Sequence, residues 1–444
     1  MSKRFYIETL GCPKNDVDSD KLIGALLADG MEPTDEASRA DLVVVNTCAF
    51  IDEARRESID TILALDEQRI EGSQLVVTGC MAERYGKELA AELPEVDQVA
   101  GFGQAFNAVL DGDGPQGSND AGPVRKLIPV SSTPLPEFDL LNLPRPKSPV
   151  PWAYVKIAEG CDRSCGFCAI PSFRGPQRSR DVASIMTEVE QLEAREIVLV
   201  AQDLASYGKD RPDEMGAGSI VPLVKAVSDA VDRVRLLYLY PSDLSDELIE
   251  VICESGVPYF DLSLQHVSKP LLRRMRRWGD GQRFLDRISD IRDREPEAAF
   301  RSNFIVGYPG ETEADHDLLL SFVKEAQLDW CGFFSYSRED GTYAADLDGA
   351  VDPQLMNERL AELRELQDDI TATRRDALIG KTLDVLVDTP GIARSHREAP
   401  EIDGVIHVGQ NVDVGSFAQV QIADALGPDL VASGVERAAL EEAD

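Results

Sequence analysis

Three cysteines near the middle of the chain constrain it more than any other feature. Cys161, Cys165 and Cys168 lie in the stretch EGCDRSCGFCAIP at the spacing C-x-x-x-C-x-x-C. A structural zinc ion takes four protein ligands, whereas three thiolates on a four-iron cluster leave one iron open to a ligand that is not protein. The spacing favours the cluster. The alternative is a zinc site completed from far away, but the chain has only four histidines that could complete it: His266, His316, His396 and His407.

An open iron also predicts a cofactor. S-adenosylmethionine can chelate it through its amino and carboxylate groups, and an electron from the cluster can then break a carbon–sulfur bond to give a 5′-deoxyadenosyl radical. With the aromatic Phe167 directly before the third cysteine, the motif resembles the signature of the radical S-adenosylmethionine superfamily. We therefore expect radical chemistry at this segment.

A second cysteine trio lies nearer the amino terminus. Cys12, Cys48 and Cys80 each follow a short apolar run and precede a segment of helical period, which predicts three successive strand–helix units. Because the carboxyl ends of parallel strands share one edge of a sheet, the three thiols can converge there on a second four-iron cluster. The alternative is three separate buried cysteines, since free cysteine packs as a small apolar residue. We expect Cys253 and Cys331, which lack a partner motif, to be core residues.

The pattern along the chain predicts an α/β protein of several units. Residues 1–112 form an amino-terminal unit with an open parallel sheet, and residues 113–148 are a linker rich in Gly, Pro, Ser and Asn. Residues 149–375 alternate six strand-like runs with helices, which predicts a partial (βα)6 barrel of the TIM type. Residues 376–444 contain short alternating runs, Asp413–Val414 among them, that predict a small five-stranded β-barrel.

The order of these units carries a family resemblance. A three-cysteine amino-terminal unit, a radical core and a small barrel resemble the methylthiotransferases, which replace a carbon–hydrogen bond by a carbon–SCH3 group, and the resemblance covers nearly the whole chain. It implies that the last barrel is a TRAM domain, which binds the macromolecular substrate. One branch of the family modifies an adenosine in transfer RNA, and the other modifies the β-carbon of an aspartate in small-subunit ribosomal protein twelve.

Local motifs look closer to the ribosomal-protein branch. They are the cluster loop GCDRSCGFCAIPSFRG, residues 160–175, and the strand end VAQDLASYG, residues 200–208. The stretch DLSLQH, residues 261–266, departs from the family at Ser263, where proline is usual. The resemblance therefore implies an enzyme that modifies a ribosomal protein.

The resemblance also implies a mechanism that uses one cofactor twice. One S-adenosylmethionine methylates a sulfur at the open iron of the amino-terminal cluster, and another, at the Cys161 cluster, generates the radical that removes hydrogen from the aspartate β-carbon. The carbon radical then takes the methylthio group. Because an unactivated C–H bond yields to neither acid nor base at neutral pH, the protein mainly orients the clusters and excludes water. No side chain stands out in the sequence as a general base.

Charge gives an independent argument about the substrate. The chain has 45 basic and 80 acidic residues, for a net charge of -35, whereas transfer RNA is normally held by basic surface. The segment 376–444 alone has thirteen acidic and four basic residues. An acidic barrel suits a basic ribosomal protein, free or in the assembled subunit, and argues against transfer RNA. A merely solvated acidic surface is the alternative.

Two other functions stay open at this point. One is a methylthiotransferase acting on transfer RNA, and the other is a non-catalytic iron–sulfur or zinc protein that docks on ribosomes. Six thiolates in two clusters require a reducing compartment, and the amino terminus MSKRFYIETLG has no apolar run for a signal peptide or a membrane span. We therefore expect a cytoplasmic monomer, served by an electron donor protein.

Further candidates come from barrel geometry, because ligands sit at the carboxyl ends of barrel strands. Gln202 and Asp203 end the second strand-like run and are candidates to bind the amino group of S-adenosylmethionine, with simple loop capping as the alternative. Gln265 and His266 end the fourth run. They are candidate cofactor or substrate contacts, although a lone histidine is more often structural.

Two more groups complete the set. The fifth run ends in FIVGYPGET, where Gly307 and Gly310, followed by Glu311, would let the backbone approach the adenine or ribose of the cofactor. We expect the basic run that follows the fourth strand to form ion pairs or to position substrate carboxylates rather than to bind nucleic acid; it consists of Arg273, Arg274, Arg276 and Arg277.

Overall fold

The computed structural model describes residues 2–102, 140–211 and 218–435, so residues 113–139 of the predicted linker lie outside it. Its contacts divide the chain into two units. The first unit comprises Met1–Lys147, Ala158–Asp162 and Ala169–Gln191, and the second comprises Ser148–Ile157, Arg163–Cys168 and Leu192–Asp444.

The first unit contains a parallel sheet of five strands in the order β2-β1-β3-β4-β5. Alternate residues of β3 face opposite sides: Val43 and Val45 pack against α2 and α3, whereas Val44 packs against α1. The predicted strand–helix units and the open parallel sheet are confirmed. The elements are β1 Arg4–Thr9, α1 Pro13–Ala28, β2 Glu32–Pro33, β3 Leu42–Thr47, α2 Asp52–Gln68, β4 Gln74–Gly79, α3 Cys80–Glu92 and β5 Gln98–Val99.

Segments from beyond the sheet complete this unit. Leu140 is buried in the same cluster as Phe5 and Leu22, and the Lys21 ammonium donates to the carbonyl of Leu141 at 2.5 Å. The end of the predicted linker is therefore packed against the sheet. The remaining elements are β7 Ala158–Glu159, paired antiparallel with β8 Arg178–Ser179, then α4 Ile170–Arg174 and α5 Val182–Leu192. The last residue of α5, Leu192, is assigned to the second unit.

Six parallel strands form the centre of the second unit. Two sheets of three strands, ordered β6-β9-β10 and β11-β12-β13, meet at a parallel bridge between Leu239 and Leu262. The predicted central α/β barrel is confirmed. The elements are β6 Trp152–Lys156, β9 Glu196–Val200, α6 Val221–Ser228, β10 Arg233–Leu236, α7 Asp246–Glu254, β11 Tyr259–Gln265, α8 Lys269–Arg274, α9 Gly281–Arg294, β12 Ala299–Val306, α10 Glu313–Ala326 and β13 Trp330–Ser335.

A closed barrel of five strands follows the long helix α11, as the sequence predicts. The prediction that Asp413–Val414 is a strand is wrong, because these residues lie in a turn in which the Ser416 amide donates to the Asp413 carbonyl. The sequence pattern missed two short strands, β15 and β18, which follow tight turns at glycines of positive φ. The elements are α11 Pro353–Asp376, β14 Thr382–Thr389, β15 Ile392–Arg394, β16 Ile406–His407, β17 Phe417–Leu426 and β18 Asp429–Ala432.

Buried ion pairs fix this small barrel to the parallel strands of its own unit. Glu196 on β9 pairs with Arg235 on β10 at 2.7 Å and with Arg394 on β15 at 3.2 Å. Burial alone would raise the pKa of Glu196, but the guanidinium groups of Arg394 and Arg235 outweigh it and lower that pKa to about 2. The carboxylate is therefore charged in the folded protein.

Among the helices that the structure describes, none combines the length and apolar character needed to cross a membrane.

Candidate functional site

The structure brings the three amino-terminal cysteines together at the carboxyl edge of the first sheet. Cys12 is the N-cap of α1, Cys48 directly follows β3, and Cys80 is the first residue of α3. Pairing of β1 with β3 and of β3 with β4 puts the three strand ends level. Burial raises the pKa of Cys48 to about 12, and the neighbouring Cys80 and Cys12 thiols act in the same direction.

Two glycines allow the tight approach of these loops. Gly11 has φ +107°, and a β-carbon there would lie 3.0 Å from the sulfur of Cys48. Gly79 has φ +91°, and a β-carbon there would lie 2.3 Å from Oδ1 of Asn46 and 2.5 Å from the carbonyl oxygen of Thr47. Any other residue at either position would be strained and would push the cysteine loops apart.

Sequence reasoning missed two residues of this site, Asn15 and Arg174. Nη2 of Arg174 donates to the sulfur of Cys80 at 2.9 Å and to Oδ1 of Asn15 at 3.0 Å. Asn15 in turn donates to the carbonyls of Leu10 and Thr47 at 2.7 and 3.2 Å. Asn15 lies three residues after Cys12, and Arg174 lies six residues after Cys168. Their closeness in sequence to cysteine motifs is the signal that could have identified them as site residues.

Burial raises the pKa of Cys48 and of Cys80, so these side chains become thiolates only when iron displaces their protons, and the other contacts fit a site that then holds thiolates. Cys12 and Cys80 lie at helix amino termini, where the backbone N–H groups favour negative charge. The buried guanidinium of Arg174, which contacts Cys80, favours negative charge as well. No group of three or more His, Cys, Asp or Glu side chains within the described ranges is arranged to hold a single metal ion. A four-iron cluster binds each thiolate through a different iron, so its ligands need not crowd around one ion.

The second trio lies in the loop after β7. Cys161 belongs to the first unit, where its amide donates to the Gly175 carbonyl at 3.1 Å. Cys165 and Cys168 belong to the second unit, and the Cys168 amide donates to the Cys165 carbonyl at 3.2 Å. Between them stands Phe167, which is half-buried. The three sulfurs are therefore carried by one short loop.

Arginine side chains hold the second-unit part of this loop at the carboxyl ends of the parallel strands. Nε of Arg163 donates to Asp203, which follows β9, at 2.6 Å, and its guanidinium lies 3.6 Å from the ring centre of Tyr240, after β10. Arg277, after β11, donates to the sulfur of Cys165 at 3.4 Å and lies on the same tyrosine ring at 4.1 Å. Tyr240 thus contacts two cations: Arg163, which belongs to the loop, and Arg277, which donates to a sulfur of the loop.

The candidates after β9 and β11 have different surroundings. Asp203 is buried and engaged by Arg163, and Gln202 beside it is half-buried. Gln265 has φ +70°, at an irregularity in the pairing of β11 with β12. His266 is fully buried: its Nδ1 accepts from the Ser268 amide at 3.1 Å, and its Nε2 has no hydrogen-bond partner among the described residues. Their roles as cofactor contacts stay predictions.

Burial decides the charge of the histidine. Removing the ring from water disfavours the imidazolium and lowers the pKa of His266 to about 4. The ring is therefore neutral at neutral pH. Because Nδ1 accepts a hydrogen bond, the hydrogen lies on Nε2, which makes this atom a donor.

The segment after β12 forms a turn that is closed by its own glutamate. Oε2 of Glu311 accepts from the Gly307 amide at 2.6 Å, and Oε1 pairs with Arg359 at 2.9 Å. The Gly310 amide donates to the Gly349 carbonyl at 2.7 Å. Both glycines have positive φ, as the predicted turn requires. Glu311 therefore shapes the turn, and backbone contact of the two glycines with the cofactor stays a prediction.

Among the described residues, the basic run after β11 contacts carbonyls, rings and a sulfur instead of forming the ion pairs we expected, and positioning of substrate carboxylates stays a prediction. Arg274 donates to the Asp348 carbonyl at 2.7 Å, Arg276 lies 3.8 Å from the ring centre of Tyr343, and Arg277 contacts Cys165 as described. Arg273 is exposed. The difference arises because the partners come from distant loops, which the local sequence does not show.

The two remaining cysteines both belong to the second unit. Cys253 is on α7 and Cys331 is on β13, and both have intermediate exposure rather than the full burial expected of core residues. Burial nevertheless raises the pKa of each thiol.

Comparison with known families divides the chain in the same order as the fold. Residues 4–101 match an uncharacterized protein family, UPF0004, residues 155–323 match the radical SAM superfamily, and residues 379–435 match the TRAM domain. The first match includes β1 and the three amino-terminal cysteines. The second match includes the loop that carries Cys161, Cys165 and Cys168.

Similar curated proteins share almost the whole length. The ribosomal protein uS12 methylthiotransferase RimO of Kineococcus radiotolerans is 38% identical over 98% of this chain and 98% of its own. The protein of the same name from Streptomyces coelicolor is 40% identical over 97% of this chain and 96% of its own.

Among solved structures, the radical S-adenosylmethionine methyltransferase TsrM from Kitasatospora setae, with cobalamin and a [4Fe-4S] cluster bound, matches with a TM-score of 0.50. The match covers 78% of this chain and 74% of that one at 15% identity. At this identity the likeness concerns the fold alone.

Proposed function

Because the chain belongs to the family of ribosomal protein uS12 methylthiotransferases, we propose that it transfers a methylthio group to the β-carbon of an aspartate in that ribosomal protein. As a radical S-adenosylmethionine enzyme, the protein is a sulfur-group transferase that uses S-adenosylmethionine and an iron–sulfur cluster. We further propose that it holds two four-iron clusters, and that an electron donor protein supplies the reducing electron.

The observation that carries the proposal is the meeting of Cys12, Cys48 and Cys80 at one sheet edge, in a chain that also has the radical cysteine motif. Radical formation requires only one cluster. A second set of three thiols, with two helix amino termini and a buried guanidinium beside it, supports a separate place for the sulfur that is transferred.

When bound, the two clusters and S-adenosylmethionine supply the electron, the radical and the methylthio sulfur. Cys161, Cys165 and Cys168 would hold one cluster, and the amino-terminal trio would hold the other. Arg277 would stabilise the Cys165 thiolate through its N–H group, since hydrogen bonds to a charged acceptor are strong.

Two buried residues would prepare the rest of the site. Asp203 keeps Arg163, and with it the segment Arg163–Cys168, at the strand ends. The neutral His266 would offer Nε2–H to a polar group of the cofactor or substrate.

The proposal is tested by supplying protein substrate and nucleic acid side by side. The anaerobically reconstituted protein, with reductant and S-adenosylmethionine, is offered ribosomal protein uS12, assembled small subunits or transfer RNA, and each is examined by mass spectrometry. We expect 5′-deoxyadenosine, together with a methylthio group on one aspartate of uS12, and neither product from a Cys168→Ala variant. A methylthio group on transfer RNA, or cofactor cleavage that never modifies uS12 in either form, would refute the proposed substrate.

A further inference from the structure

We propose that Arg174 is a positioning residue for the amino-terminal cysteine site: it holds the Cys80 thiolate and raises the reduction potential of the cluster bound there. The inference rests on the proposed function, because it takes the three thiols as cluster ligands. Arg174 itself lies at the end of α4, in the segment that follows the other cysteine trio in sequence.

The guanidinium has two functional edges. Nη2 donates to the sulfur of Cys80 at 2.9 Å, whereas Nη1 pairs with Oδ2 of Asp18 at 3.2 Å and with Oε1 of Glu159 at 3.0 Å. Because the guanidinium is planar and rigid, two carboxylates on one nitrogen determine the direction in which the other nitrogen points. That direction is toward Cys80.

Burial makes the contact strong and selective. The side chain of Arg174 is only 3% exposed, and its guanidinium lies 4.0 Å from the ring centre of Phe102. Water therefore does not compete for the N–H groups, and charges interact more strongly than at a surface. Burial alone would lower the pKa of Arg174, but Cys80, Glu159 and Asp18 outweigh it and raise that pKa well above its ordinary value.

The same nitrogen reaches the other two cysteine loops through Asn15. Oδ1 of Asn15 accepts from Arg174, and Nδ2 donates to the carbonyls of Leu10 and Thr47. Leu10 stands two residues before Cys12, and Thr47 stands directly before Cys48. Loss of the arginine would therefore loosen the arrangement of all three loops, not only that of Cys80.

Reduction of a cluster adds negative charge to the site. A cation in contact with a ligand sulfur stabilises the reduced form, and N–H···S hydrogen bonds are among the factors that set cluster potentials. We therefore expect that removing Arg174 shifts the potential to more negative values and speeds the loss of iron.

The test isolates one cluster and compares three substitutions. In full-length protein carrying Cys161→Ala, Cys165→Ala and Cys168→Ala, the amino-terminal site is the remaining cluster site. Into this protein we introduce Arg174→Met, Arg174→Lys or Arg180→Lys. Arg180 is a matched control because it is equally buried in the same unit but contacts Glu188 and Asn142. The measurements are iron per chain, midpoint potential and the rate of iron release to a chelator.

We expect Arg174→Met to have a more negative midpoint potential and to release iron roughly tenfold to a hundredfold faster, the effect typical of lost outer-shell contacts. Arg174→Lys keeps the positive charge but loses the planar guanidinium with its several N–H groups. Its midpoint potential and its rate of iron release should therefore lie between those of Arg174→Met and the parent protein. Arg180→Lys should match the parent protein. If Arg174→Met does not fold, the comparison of the two lysine variants decides the question.

Two failures are distinguishable. Equal potentials and equal release rates in the Arg174 variants and the parent would overturn the inference and leave the proposed function standing. Absence of iron from the parent, with Arg174 intact, would instead overturn the ligand assignment and the proposed function with it.

Discussion

At the scale of single residues, the site depends on side chains whose neighbours set their charge. Arg163 of the cysteine loop and Arg277 after β11 both lie on the ring of Tyr240, and Arg277 also donates to the sulfur of Cys165. Asp243, beside Arg163 and Lys209, shows the same dependence: burial would raise its pKa, but hydrogen bonds from Lys209 and Arg163 outweigh it and lower that pKa. Substitutions here should act through charge before they act through packing.

The two cysteine trios should be separable by iron content. Each four-iron cluster takes one trio, so the intact protein should bind roughly eight irons per chain. Replacing Cys161, Cys165 and Cys168 with Ala should leave roughly four and abolish 5′-deoxyadenosine formation. Replacing Cys12, Cys48 and Cys80 should also leave roughly four, with cofactor cleavage retained and methylthio transfer lost. A triple variant with full iron content would show that its trio is not a ligand set.

His266 should make the second unit less stable in mild acid. Its pKa is lowered from 6.5 to about 4 in the folded protein, so the unfolded chain binds the extra proton between these values. The stability from the neutral ring is fully present above pH 6.5 and is lost as pH falls toward 4, by about 1.4 kcal/mol per pH unit.

Denaturation followed by tryptophan fluorescence can measure this loss, since Trp152, Trp278 and Trp330 all belong to the second unit. The free energy of unfolding of His266→Gln should fall less steeply below pH 6.5 than that of the wild type. Parallel pH profiles for the two proteins would contradict the assignment.

At the scale of elements, turns between strands and helices place the sulfurs. Cys80 begins α3 directly after Gly79, whose positive φ reverses the chain at the end of β4. The three thiols come from three different strand-to-helix turns, each at the carboxyl end of a parallel strand, and glycines of positive φ precede two of them, Cys12 and Cys80. The geometry of the turns therefore controls the site as much as the cysteines do.

Gly79→Ala should disturb the site more than a glycine change elsewhere in the unit. A β-carbon at Gly79 meets Asn46 Oδ1 at 2.3 Å, so left-handed strain and overpacking add, and the loss of stability should be about 3 kcal/mol. Gly72→Ala is the control: its φ is +89°, and nothing lies within 4 Å of the added carbon, so about 1 kcal/mol is expected. Thermal unfolding and iron content should both separate the two variants; equal effects would show that the turn yields.

At the scale of the whole molecule, much of the acidic charge of the last barrel is not available to a partner. Asp388 and Glu398 are buried in ion pairs with Arg394 and Arg375. Asp403 pairs with Arg301 of β12. Asp403 joins the barrel to β12 and Glu398 joins it to α11, whereas Asp388 forms its pair within the barrel. The acidic surface that could attract a basic protein is therefore smaller than composition suggests.

Charge reversal should distinguish exposed acids, which could attract a basic partner, from buried acids, which stabilise the fold. Lysine at the exposed Asp376, Glu401 and Asp413 should weaken binding of ribosomal protein uS12 and leave cofactor cleavage unchanged. The loss of binding should be larger at low salt, because exposed charges are screened within about 8 Å at physiological salt. Asp388→Lys should instead destabilise the second unit by about 3–5 kcal/mol, since it removes one of the two carboxylates that pair with the buried Arg394 and puts a second cation beside it. Binding measured across a salt series tests the first statement; a surface triple variant that binds like the wild type would make the barrel acids a solvated surface only.

The sequence by itself determined the features that depend on local spacing. The Cys161 motif lies within one loop, and strand–helix alternation has short periods, so both trios, the parallel units and the closed barrel could be predicted. Short strands such as β15 could not, because three residues carry no period. The tertiary structure alone decided the contacts of Arg174 with Asn15 and Cys80, and the pairing of Glu196 with the buried Arg394. Such partners are chosen by packing between distant segments, and a charged residue in a sequence does not show whether it will meet water or an opposite charge.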